Sequence, residues 1–76
     1  MNGIVTEDEY RAYEKEKLVK LAVRMRDVCR EVPLYDIAKG TGLKWDTINK
    51  ARKGKSISFR AFCRIERYLQ SRGIML

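Results

Sequence analysis

The amino-acid sequence predicts an all-α fold: a bundle of four helices, the first of them long. Three observations predict it. Apolar residues recur at three- and four-residue spacing. Helix starts and stops carry suitable residues, from Thr6 near the beginning to Gly73 near the end. Residues 34–54, LYDIAKGTGLKWDTINKARKG, read as two short amphipathic helices joined by a tight turn.

The first helix is expected over about 7–31. Thr6 and Glu9 fit a capping box, a hydroxyl at the cap and a carboxylate three residues on. Glu7, Asp8 and Glu9 suit the positive end of the helix dipole. Nothing breaks the pattern until Val32-Pro33, because the residue before proline is pushed out of the α region. Leu18, Leu21, Ala22, Met25, Val28 and Cys29 form one stripe that should face a core. Val19 and Val23 lie off that stripe, with Ala12 further back and Tyr10 and Tyr13 at the start. They read equally as tolerated surface apolars on a frayed helix or as a segment that pairs with another chain.

Two short helices follow, at about 34–40 and 45–53. Ala38 is small where two helices would cross closely. Gly42 tolerates φ > 0 where the chain reverses. Leu43 and Ile48 then point back at the preceding helix, Ala51 follows, and Gly54 closes the unit. This is the spacing of a helix-turn-helix, whose second helix enters the major groove of DNA. Ser58 caps a last helix over about 59–71, with Phe59, Phe62, Cys63, Ile65 and Leu69 as candidate core. Gly73 stops it, and the tail Ile74-Met75-Leu76 either closes the core or joins a dimer seam.

Composition bounds the rest. Seventy-six residues allow one domain over 1–76 and one small core, so dimerisation would help. One proline and five glycines argue against disorder. No apolar run is long enough for a membrane span, and the first residues lack a signal-peptide layout, so a cytoplasmic protein is the expectation. Net charge is +7, unevenly spread: residues 1–16 carry −3 and the remainder +10, with +5 packed into 44–60. Such a half suits a polyanion. Cys29 and Cys63 are the only cysteines and histidine is absent, so a histidine-based triad is excluded and a structural zinc site lacks ligands. Both cysteines are expected as reduced core thiols. With no glycine-rich phosphate loop and no placed carboxylate pair, no enzyme, cofactor or metal is expected.

Ala38, Gly42, Ile48 and Gly54, followed by KSISFRAFCRIERYL, give the chain over roughly 23–72 a form that resembles the lambda-repressor-like helix-turn-helix family of Cro and Xre regulators. The resemblance implies a small bacterial or phage transcriptional regulator that binds double-stranded DNA as a homodimer. Two positions depart from the family. Pro33 and Leu34 stand where a polar cap and a phosphate-clamping glutamine are usual, and Lys44 stands where Ser or Thr usually caps the second motif helix.

The resemblance places base contacts at Trp45, Asp46 and Lys50, with Lys44 and Asn49 as neighbours. Lys50 suits guanine O6 and N7 or, equally, a phosphate. Asn49 suits adenine or a sugar-phosphate. Asp46 suits cytosine N4, though a carboxylate there also stabilises the helix start. Trp45 suits a thymine methyl or a deoxyribose, or partial burial against the neighbouring helix. Arg52, Lys53 and Lys55 read as phosphate anchors or as a solvated loop. Tyr35 and Lys39 are placed to replace the missing clamp, and N–H groups around Ser58 to hold a further phosphate. Two competing readings remain: a protein-interaction module of the antitoxin or phage and plasmid kind, and a non-specific DNA binder.

Overall fold

Where the sequence predicts one helix over 7–31, the chain forms two. The computed structural model describes residues 6–76. Among them are five helices and no strand: α1 (Glu7–Ala12), α2 (Glu14–Cys29), α3 (Leu34–Thr41), α4 (Trp45–Arg52) and α5 (Phe59–Ser71). The break falls at Tyr13, whose φ of −124° and ψ of 33° leave the α region. Its cause lies one turn earlier. Tyr10 is buried, its ring centroid 4.7 Å from that of Phe62 and 5.6 Å from that of Phe59. Its phenol donates to the Ile57 carbonyl oxygen at 2.9 Å. Bending at Tyr13 brings α1 over the start of α5 and satisfies this large side chain in both its apolar and its polar part. The Thr6 hydroxyl accepts from the Glu9 N–H at 3.1 Å, as the capping signal predicts.

The far end also falls short of residue 31. After Cys29 the backbone tightens, with Arg30 N–H donating to the Asp27 carbonyl at 3.3 Å and Glu31 N–H to Val28 at 3.0 Å. Pro33 then starts α3 in extended backbone.

The core fills with the stripes of all five helices. Phe62, Leu21, Met25, Ile37, Ile48, Ile65 and Leu69 are fully buried. Leu18, Ala22 and Val28 are buried as the stripe predicts, while Cys29, Phe59 and Cys63 are only half-buried. α4 packs on α2 and α3, α3 also on α5, and α1 on α2. Both thiols are free and lie above the ordinary cysteine range, chiefly through burial. Ala38 is buried as expected, and Gly40 is a second close approach, where an added methyl would lie 2.7 Å from the Tyr68 ring.

The turn between α3 and α4 is held from several sides. Gly42 has φ of 74°, and the Gly42 and Leu43 N–H groups both return to the Ala38 carbonyl, at 2.9 and 3.1 Å. This left-handed stop satisfies carbonyls that the helix end would leave free. The buried Thr41 hydroxyl donates to the Ile37 carbonyl at 2.9 Å and accepts from the Leu43 N–H at 3.3 Å. Arg64 on α5 donates to the Thr41 carbonyl at 3.1 Å. The last helix ends with Gly73 and Ile74 bonding back to Gln70 and Leu69, which lays the half-buried Ile74 and Leu76 against the core.

Candidate nucleic-acid interface

α4 is an eight-residue helix whose inner face is fixed by Ile48 and Ala51, both fully buried. Helical geometry then assigns the rest. Asp46, Lys50 and Lys53 recur at four and three residues and form the outermost row, all three exposed. Trp45 sits on the flank of that row with about half of its surface in solvent (49%). A tryptophan half in solvent offers apolar surface to a partner.

The amino end of α4 is open. Lys44 is its cap residue, in extended backbone, and makes no side-chain cap bond. The Thr47 N–H returns to the Lys44 carbonyl at 3.0 Å, which leaves the Trp45 and Asp46 N–H groups to an acceptor, with the exposed Asp46 carboxylate beside them.

Asn49 and Arg52, expected at a base and at a phosphate, bond to each other. Arg52 is half-buried and donates from Nη2 to the Asn49 side-chain oxygen at 2.7 Å. Its Nε is buried with no hydrogen-bond partner. Its charge lies close enough to Cys29 on α2 to offset part of the burial that raises that thiol. The pair thus belongs to the seam between α4 and α2, which leaves Lys50 as the exposed donor of the outer row.

The predicted anchors Lys53 and Lys55 are exposed, as are Lys44, expected beside the base readers, and Arg60, which is not among the expected site residues. None of these, nor Lys50, has a carboxylate partner among the described residues, where the ion pairs are Arg11–Glu7 and Lys17–Glu9. Tyr35 (67% exposed) and Lys39 lie one turn apart on the outer face of α3. Ser58 caps α5, its hydroxyl accepting from the Ala61 N–H at 3.1 Å, so its oxygen is already engaged.

A groove of about 350 Å³ joins the start of α4 to the start of α5, lined by Gly42, Lys44, Thr47, Ser58, Arg60 and Arg64 among others. Three cations and two helix amino ends converge there, an arrangement that attracts an anion. Arg64 is the residue the sequence reading overlooks. Arg60, Arg64 and Arg67 recur at four and three residues and are all exposed, a row visible in the sequence but indistinguishable there from a solvated face. Among the described residues no cluster of histidine, cysteine or carboxylate could hold a metal, and no helix is long and apolar enough to cross a membrane.

Compared with protein-family models, curated proteins and solved structures, the chain finds no match.

Proposed function

We propose that this chain is a sequence-reading, double-stranded DNA-binding transcriptional regulator of the lambda-repressor-like helix-turn-helix kind, with α3 and α4 as the motif and α4 as the helix that enters the major groove. The observation that carries the reading is the α3–Gly42–α4 unit. It buries Ile48 and Ala51 and turns an unpaired cationic row outward. An α-helix with its side chains is about 10–12 Å across and the major groove is about 12 Å wide, so the groove admits α4.

In this reading Lys50 donates to guanine O6 and N7. Trp45 presses its exposed face on a thymine methyl or a deoxyribose. Asp46 accepts from cytosine N4 or steadies the open end of α4. Lys44, Arg60 and Arg64 hold one phosphate in the groove between α4 and α5, while Lys53 and Lys55 hold another beyond the end of α4. Tyr35 and Lys39 reach the backbone from α3. Such contacts supply register and affinity, and the outer row of α4 supplies discrimination. Regulation follows by occupancy: a bound protein excludes or recruits polymerase at a promoter, in the bacterial or phage cytoplasm.

The bonded Asn49 favours a second reading, because one of five expected base readers is held by Arg52 within its own helix. A non-specific duplex binder uses the phosphate contacts alone. Competition distinguishes the two: unrelated duplex displaces a preferred site poorly if α4 reads sequence, and equally well if it does not. The basal test is a salt titration. Neutralising about 6–10 phosphates makes log K fall with log salt at about −0.9 per contact. Absence of duplex affinity at low salt overturns both readings.

A further inference from the structure

The two apolar surfaces that the sequence leaves apart are one surface. Leu76 lines the same shallow groove as Val19 and Val23 of α2. Arg24 fastens the tail there by donating from Nε to the Met75 carbonyl oxygen at 3.0 Å. Val19 is 61%, Val23 45% and Met75 55% exposed, so three large apolar side chains share one solvent-facing patch.

The charges around that patch say what covers it. The outward face of α2 carries Lys15, Glu16, Val19, Val23, Arg26 and Asp27, all exposed, with the exposed Lys20 and Arg24 beside the valines in the groove. Lys15, Glu16, Arg26 and Asp27, which flank the valines along the helix, have no ion-pair partner among the described residues. A second α2 laid antiparallel, with its two-fold axis at Leu21, sets Val19 against Val23 of the other copy. The same register sets Lys15 against Asp27 and Glu16 against Arg26, and symmetry repeats each contact. Three antiparallel registers put valine on valine, and within α2 this one alone matches all four flanking charges with opposite sign. A parallel pairing about a two-fold axis places Glu16 on Glu16 and Arg26 on Arg26, which like charge disfavours.

We propose that the outer face of α2, extended by the tail at 74–76, is a homodimer interface in which two copies pack antiparallel about Leu21, with Val19–Val23 at the centre and Lys15–Asp27 and Glu16–Arg26 at the rim. The apolar centre supplies the attraction and the four rim pairs set the register. The face is modest, so association is weak and falls as salt screens the rim. The dimer does not depend on DNA, and its test uses the free protein.

The test exploits the symmetry. Glu16→Arg gives a chain with Arg at both rim positions, and Arg26→Glu gives one with Glu at both. Each variant should self-associate roughly tenfold or more weakly than the wild type in sedimentation equilibrium. An equimolar mixture of the two should regain wild-type association, because both contacts between positions 16 and 26 are then Arg on Glu. The double variant, Glu16→Arg with Arg26→Glu, should regain it alone. Val19→Glu/Val23→Glu should abolish it, and circular dichroism should show every variant fully helical, since all these positions are exposed. A wild type that stays monomeric at roughly 100 micromolar, where weak interfaces still populate, overturns the proposal. So does unchanged association of either single variant, or a mixture that fails to associate. A heterologous protein that binds this patch while the wild type stays monomeric makes it a docking face for that partner instead.

Discussion

Arg52 donates from Nη2 to the Asn49 side-chain oxygen at 2.7 Å, across one turn of α4. The bond separates two neighbours that look equivalent in sequence. The Asn49 oxygen keeps one lone pair for adenine, but Arg52 fixes how its amide is turned, whereas the ammonium of Lys50 is exposed and unpaired. Lys50→Ala should therefore cost about 1–3 kcal/mol on a preferred site and relax discrimination there. Asn49→Ala should cost less sequence preference than Lys50→Ala and also lower thermal stability, because Arg52 would lose the side-chain acceptor it has among the described residues. Equal loss of preference in the two variants would restore Asn49 as a reader.

Lys55→Ala and Arg60→Ala should weaken all duplexes alike and each reduce the salt slope by about 1, as phosphate contacts do. Fluorescence anisotropy on two unrelated duplexes measures this. A loss confined to one duplex would show that these cations act at a base.

Gly42→Val should lower stability by roughly 2 kcal/mol or more, because a β-branched side chain is strongly disfavoured at positive φ. The first added carbon would also lie 2.9 Å from Arg64 Nη1 and disturb the bond from Arg64 to the Thr41 carbonyl. Duplex affinity should fall with it, since the same turn aims α4. A melting temperature equal to the wild type would mean the α3–α4 turn does not carry this strain.

Tyr10 links α1 to the rest of the molecule and should show itself in alkali. Burial, with smaller contributions from Glu14 and Cys63, pushes its phenol from 10.0 up to about 12. The unfolded chain therefore releases this proton first. The stabilisation is complete below pH 10.0 and is lost as the pH rises through about 12. Tyr10→Phe should cost about 1 kcal/mol at neutral pH through the lost bond to the Ile57 carbonyl. It should also flatten the fall of urea midpoints in that alkaline window. A variant whose alkaline profile parallels the wild type would show that the phenol ionises freely in the fold.

Much of the architecture is legible in the sequence because local signals agree with the packing. The Thr6 and Ser58 caps, the inward pair Ile48 and Ala51, and the left-handed Gly42 each follow from a residue type at a fixed spacing. The break at Tyr13 does not follow, because no glycine or proline marks it. It arises from a contact 47 residues distant, between Tyr10 and Ile57. For the same reason the place of Arg52 beside Cys29 and α2 is not legible in sequence: only the fold brings them together. The convergence of Lys44, Arg60 and Arg64, and the meeting of Val19 and Val23 with the tail, likewise depend on helices that are distant along the chain.

The central claim, that α4 reads base sequence in duplex DNA, is tested most directly by selection from a random duplex pool at low salt. The account predicts that successive rounds converge on a short motif, and that Lys50→Ala degrades the motif without abolishing duplex binding. A pool that is retained but never converges, or one that is not retained at all, would contradict it.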